Sequence, residues 1–334
     1  MLVSAVGMLA LLLPLEYVAV LLVYAGFSLA HEPVKPMADG VFFAARRRAG
    51  APPIDCHQVR IWGTVGYLVP GVLVYVALSA GDGIGVIPML GAAMALFGTI
   101  NALRLRAGDR VPVGAGPGRG DAGPKLTTAS AVRAALRILG RPAVRRLVIG
   151  MFLLQAALAA YAAFYPLHLT EVVGVETRWI GLISNIGVGL EIGCMAAFGW
   201  LRSRLGWRWL LIGGTLAHGG RLVLLAASPE LAAALSAQLV HGFAIIVLMV
   251  ASRVLMDEAA GDHLRYTVQG LFTMFVIGGG RLMGSALGGV IAELGLAWVF
   301  AASALACGAA AILFARAFPS RLDGRTLGGP RDGR

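Results

Sequence analysis

Nine apolar stretches of about 20 residues or more follow one another at 17–43, 61–80, 84–103, 147–169, 179–201, 207–228, 231–256, 267–293 and 295–318. A helix needs about 20 such residues to cross the hydrocarbon core of a bilayer. The pattern therefore predicts an all-α, polytopic membrane protein. Met1 to Leu13 is a tenth apolar run, too short to cross alone. It lacks the basic start and small-residue cleavage site of a signal peptide, and is expected to be the end of a helix whose beginning is missing.

Composition argues the same way. The chain is 58% hydrophobic and 13% charged, against about 45–50% and about 25% for a soluble domain. A globule of this size cannot hide that much apolar surface, which excludes most soluble enzymes. The net charge of +11 is not a nucleic-acid signal, because the basic residues lie between apolar runs rather than on one face. Cys56, Cys194 and Cys307 lie far apart, with the spacing of neither a disulfide framework nor a metal site.

The basic residues alternate from loop to loop. Arg46, Arg47 and Arg48, the segment 104–146, Arg202, Arg204 and Arg208, Arg253 and Arg265, and the arginines from Arg316 onward all fall on one side. The intervening loops carry only Arg178. By the positive-inside rule the arginine side is cytoplasmic, as are both chain ends, which places the chain in the cell's inner membrane. The expected organisation is an incomplete N-terminal lobe (1–106, about four helices), a cytoplasmic linker (107–146), a six-helix lobe (147–318) and a cytoplasmic tail (319–334). The linker opens with VPVGAGPGRGDAGPK, rich in Gly and Pro. It continues as SAVRAALRILGRPAVRR, where Val132, Ala135 and Leu139 alternate with Arg133, Arg137 and Arg141. That is the pattern of a short basic helix on an anionic leaflet.

Ionisable groups interrupt the greasy runs. In YVAVLLVYAGFSLAHEPVKPMADG, His31, Lys35, Asp39 and Glu32 fall at about 0°, 40°, 80° and 100° around a helix, one polar stripe. Each such charge at mid-membrane costs about 2.5–3.5 kcal/mol, so the stripe must face protein. Glu32 and Lys35 are spaced as a structural ion pair, whereas Asp39 has no partner on its own helix. Arg60, across a cytoplasmic hairpin from Asp39, can pair with it or grip a substrate's hydroxyl or carboxylate. Tyr67, two turns further, is placed either to stack on a substrate or to anchor the helix at the interface. In the second lobe Gln155, Glu191, Arg221, His241 and Arg281 each lie inside a different run, which predicts a shared polar cavity. Two overlapping GxxxG steps (Gly280, Gly284, Gly288) and the series Gly181, Gly189, Gly193 predict close helix contacts.

These features together resemble the major facilitator superfamily, whose transporters are built from repeated helical halves. GWLRSRLGWRW at 199–209 is similar to that superfamily's loop motif, with Gly199, Leu201, Arg204, Gly206 and Arg208 in place and Ser203 where an acid is usual. PMADGVFFAARRR, VRIWGTVGY and FYPLHLTEVVGVETRWIGLISNIGVGLEI resemble the branch containing the 3-phenylpropionate transporter, nucleoside–proton symporters and lactose permease. The resemblance covers nearly all of residues 1–318. It implies that Asp39 and Arg60 hold substrate, that Tyr67 stacks on it, and that Arg221, His241 and Arg281 stand where the ninth-, tenth- and eleventh-helix cations of lactose permease stand.

Two departures restrict the proton path. Ala244 replaces the acid expected after His241, and only Gln155 stands near the seventh-helix acids, which leaves Glu191, Asp39 or Glu32 to carry the proton. The resemblance also implies about 10 of 12 helices, the first two missing. The expectation is secondary transport by alternating access, proton-coupled, of a small organic substrate such as an aromatic carboxylate, a nucleoside or a sugar. The expected protein works as a monomer with no cofactor or metal and no nucleic-acid partner. Export of apolar compounds and a transport-inactive remnant stay open. The order Pro70-Gly71 reverses the exporters' motif, and a membrane enzyme lacks any HExxH or GxSxG signature.

Overall fold

The computed structural model describes residues 2–14, 16, 19, 20, 22, 23, 26, 27, 56–104 and 128–318. All regular structure among these residues is helical. The helices are α1 (Leu2–Ala10), α2 (Cys56–Ser79), α3 (Val86–Leu103), α4 (Thr128–Gly140), α5 (Pro142–Leu167), α6 (Ile180–Ala196), α7 (Phe198–Ala227), α8 (Leu231–Gln238), α9 (His241–Ile245), α10 (Ser252–Phe272), α11 (Gly279–Ala292) and α12 (Leu296–Ala317). Wider π turns at His168–Val172, Ile246–Ala251 and Thr273–Gly278 continue α5, join α9 to α10 and join α10 to α11.

Among the described residues, seven segments are long and apolar enough to cross a membrane: 62–79, 86–103, 142–172, 177–196, 198–227, 267–292 and 296–317. An eighth is the pair α8 and α9–α10, bent by 41° where the chain breaks between Gln238 and His241. Eight of the nine apolar runs thus carry a span. The run 17–43 lies almost wholly outside the described residues.

The chain divides into two compact units, one of residues 1–55 and 69–121, the other of 56–68 and 122–334. In the first, α1 packs on α3. Gly91 makes this possible, since a Cβ there would stand 3.3 Å from the Met8 sulfur.

In the second unit α12 lies against both α5 and α7, and α11 against α5. The core contains Leu147, Met151, Leu154, Leu211, Leu222, Phe300 and Phe314, all fully buried. The GxxxG steps of α11 form its seam with α5. Gly284 meets the Ala156 backbone, Gly280 the stem of Gln155, and Gly288 the Phe164 ring. Gly189 and Gly193 have nothing within 4 Å of where a Cβ would stand, so that spacing marks no contact. α4 turns Ala135 and Ile138 into the core and packs against α10. Protein, not lipid, therefore covers this side of the basic helix.

The arginine-rich loop motif makes a kink. Gly206 has φ +66° and ψ 173°, a region essentially reserved for glycine, and it separates a short leading segment of α7 from the long one. Beyond it, Arg208 donates to the Ala315 carbonyl (3.1 Å) and to that of Phe318. Arg146 donates to the Arg316 carbonyl (3.0 Å). Two cations thus satisfy the orphan carbonyls at the end of α12, where the helix dipole favours positive charge. Arg202 pairs with Glu258 (3.7 Å) and lies over the Trp207 ring. Ser203, in the acid's position, bonds to the Trp200 carbonyl of its own helix.

Candidate functional site

Glycines let three helices of the second unit approach at polar residues. On α9, a Cβ at Gly242 would lie 2.9 Å from the Glu191 Cα and 2.8 Å from the Cys194 sulfur of α6. On α6, a Cβ at Gly187 would lie 3.0 Å from the His241 Cβ. On α7, a Cβ at Gly214 would meet the Phe243 carbonyl at 2.9 Å. Without side chains at these points, α9 sits in the groove of α6 and α7, and its first residue, His241, is brought between Glu191 and Arg221.

A polar chain results. Thr64 of α2 donates to Glu191 Oε1 (3.1 Å). Glu191 Oε2 is 3.7 Å from His241 Nε2, and His241 Nδ1 is 2.9 Å from Arg221 Nη1. Because a guanidinium only donates, His241 Nδ1 must accept. The imidazole is then neutral, with its proton on Nε2, on the Glu191 side. The Arg221 guanidinium lies 3.8 Å from the centre of the Tyr161 ring, a cation–π arrangement strengthened by loss of water.

Tyr161 is itself fixed. Its hydroxyl accepts from Gln238 Nε2 (2.9 Å), and its ring stacks on Tyr165 at 4.8 Å. The Tyr165 hydroxyl donates to the Ala234 carbonyl (3.0 Å). His218, fully buried, stands edge-on to Tyr161. Arg221 is only 3% exposed, and its Nε and Nη2 have no hydrogen-bond partner among the described residues.

Of the residues singled out from sequence, Glu191, Arg221 and His241 meet in this cluster. Gln155 is buried on α5, its side chain against Gly280 and its Oε1 unpartnered among the described residues. Arg281 lies on the exposed side of α11, and Tyr67 on α2 is 66% exposed. Arg60 is part of α2, its side chain outside the described set. Asp39, Glu32 and Lys35 also lie outside the described residues. Thr64, Tyr161, His218 and Gln238 complete the cluster without having been singled out, and His218 carried the same signal as His241, an ionisable group inside an apolar run. Gln238 carried a signal, three residues before His241 in the same run. Thr64 lies one turn beyond Arg60. Tyr161 carried none that separates it from a packing aromatic.

A carboxylate, an imidazole and a guanidinium in line across three helices can hold a proton on either of the first two groups beside a fixed positive charge. Asn185 adds a further polar tie, donating to the Leu68 carbonyl (2.9 Å), so α2 and α6 are joined at two levels.

A family model described as the MFS_1 like family matches residues 1–302. Among solved structures, the crystal structure of the nucleoside transporter NupG with the substitution D323A aligns with 95% of this chain and 81% of that one. The identity is 20% and the TM-score 0.77. The crystal structure of NupG without that substitution aligns with 94% and 80%, at 18% identity and a TM-score of 0.72. No curated protein matches the chain. With the family model spanning most of its length and this fold beneath it, the chain belongs to the MFS_1-like family of the major facilitator superfamily, and is a multi-pass membrane transport protein rather than an enzyme.

Proposed function

We propose that the chain is a proton-coupled carrier that takes up a small organic substrate by alternating access and acts as a monomer. The observation that carries this reading is the line Thr64–Glu191–His241–Arg221. Intramembrane ionisable groups are costly and mark ion or substrate pathways, and here three of them share one buried cluster. Glu191 takes the proton, and the neutral His241, whose Nε2–H faces Glu191 while its Nδ1 accepts from Arg221, steadies the carboxylate when the proton leaves. Arg221, held on Tyr161, keeps the positive charge fixed while the proton comes and goes. Asp39 and Arg60 grip a polar group of the substrate and Tyr67 stacks on it, with Gln155 and Arg281 completing the cavity. Glu32 pairs with Lys35, or serves as a second proton carrier beside Asp39.

The substrate classes are a nucleoside, an aromatic carboxylate and a sugar. The fold's likeness to NupG, a nucleoside transporter, favours the first. The arginine side of the chain, including Arg146 and Arg208 at the end of α12, faces the cytoplasm of a cell whose inner membrane holds the protein.

Uptake of labelled candidates into vesicles, with and without an inward proton gradient, tests the reading. One candidate should accumulate only with the gradient, and Glu191→Gln should abolish accumulation while still permitting exchange of substrate across the membrane. Gradient-independent uptake by the unaltered protein would remove the proton from the mechanism. Unchanged uptake in Arg60→Ala would remove the binding role of Arg60.

A further inference from the structure

Core packing accounts for only one side of α4. Ala135 and Ile138 are buried, and at about 100° per residue they lie on the side packed against α10. Ala129, Val132 and Leu136, spaced three and seven residues on from the first, form a second apolar strip about 120° round the helix from the buried side, and Leu136 is 47% exposed. Arg133 and Arg137 stand beside that strip, both exposed, and Ala129, Val132, Arg133 and Leu136 line a shallow, open depression there. Arg141 and Arg145, also exposed, continue the four-residue spacing past the end of the helix. Residues 128–146 contain no Asp or Glu. Arg146 is committed to the Arg316 carbonyl, which sets it apart from this row.

A helix that needed only to be soluble would not carry an outward strip of Val and Leu. One that needed only to be packed would not line that strip with arginines and no acids. Apolar and cationic strips side by side match a ligand with an apolar tail joined to an anionic head.

We propose that this face of α4 binds an anionic phospholipid, its acyl chain along Ala129, Val132 and Leu136 and its phosphate held by Arg133, Arg137 and Arg141. Guanidinium forks match phosphate oxygens two at a time. Basic residues near an anionic leaflet each add attraction that falls off within a Debye length.

The test uses the full chain in a neutral detergent, titrated with a fluorescent short-chain phosphatidylglycerol and with the matched phosphatidylcholine. Phosphatidylglycerol should bind at least about tenfold more tightly, since each arginine beside an anionic headgroup contributes about fivefold. About 0.5 M salt should erase most of that preference. Replacing Arg133, Arg137 and Arg141 together by Gln, all three exposed, should bring phosphatidylglycerol down to the phosphatidylcholine level. Leu136→Asn should weaken both lipids. Equal binding of the two lipids by the unaltered chain, or an undiminished preference in the triple variant, would overturn the proposal. So would competition by glycerol phosphate as strong as that of the intact lipid, which would make the site one for free phosphate.

Discussion

Adding one methyl group to α11 tests whether its glycines are the reason that α11 and α5 meet backbone to backbone. A Cβ on Gly284 would overlap the Ala156 carbonyl oxygen and lie 2.7 Å from the carbonyl carbon, where ordinary contact begins at 3.4 Å. Backbone on both sides leaves no rotamer to turn, so the helices must part by about 1 Å. A gap of about 0.5–1 Å forfeits about a quarter to a half of the dispersion attraction across it, and overpacking of this kind costs about 1–3 kcal/mol. Against this, alanine favours a helix over glycine by up to about 1 kcal/mol. Gly284→Ala should therefore destabilise by up to about 2 kcal/mol. Gly289, on the same helix, has nothing within 4 Å, so Gly289→Ala keeps only the gain. At Gly288 the obstacle is the edge of the Phe164 ring (2.7 Å), which can swing, and the cost should be intermediate. Thermal unfolding in neutral detergent reports this order through a maleimide dye in a background with Cys56 and Cys194 replaced by Ser, because the remaining thiol, Cys307 on α12, is fully buried and reacts only once the helices part. The expected midpoints run from Gly289→Ala, at or above the unaltered protein, through Gly288→Ala to Gly284→Ala. Equal midpoints for the changes at 284 and 289 would refute the reasoning.

Three further outcomes follow from the cluster and the kink. Arg221→Lys keeps the charge but loses the planar fork that reaches His241 while lying on Tyr161, and proton-driven uptake should fall at least about tenfold, as expected when a buried partner costing about 3–5 kcal/mol is broken. Tyr161→Phe keeps the ring under Arg221 but leaves Gln238 Nε2 without its acceptor, so thermal stability should drop by about 1 kcal/mol with uptake largely kept, and Tyr161→Leu should lose both. Gly206→Ala meets no atom within 4 Å, yet its backbone must leave φ +66° or be strained by about 1–3 kcal/mol. A lowered unfolding midpoint for Gly206→Ala, beside an unchanged one for Gly199→Ala, distinguishes backbone strain from crowding.

The spans and the polar cluster were legible in the sequence to different depths, for physical reasons. A charge inside an apolar run is conspicuous because lipid forbids it, and that selects Glu191, Arg221 and His241, three ionisable groups the fold brings together, though it passed over His218, buried beside them against Tyr161. Arg281 satisfied the same test but lies on the exposed side of α11. A run specifies depth along the helix, not the direction in which the residue points. The glycines show the same limit. GxxxG spacing defines a smooth face, and both the 280–284–288 and the 189–193 series have it, but only the first meets a partner. The contacts that seat His241 come instead from Gly187, Gly214 and Gly242, one on each of three helices, where no single helix shows a repeat. The break between Gln238 and His241 has no proline to announce it. That break makes His241 the first residue of α9, with Gln238 at the end of α8 bonded to Tyr161. Thus two polar residues of one apolar run serve opposite ends of the Arg221 guanidinium: His241 accepts its hydrogen bond, while Gln238 holds the ring on which it lies. An unbroken helix would set the two residues about 300° apart, little less than one turn along the same face. The bend lets each be placed by a different neighbour, α8 packing on α7 and α6 and α9 sitting between them. A substitution that straightened residues 238–241 would therefore disturb the Glu191–His241–Arg221 cluster without touching any ionisable group.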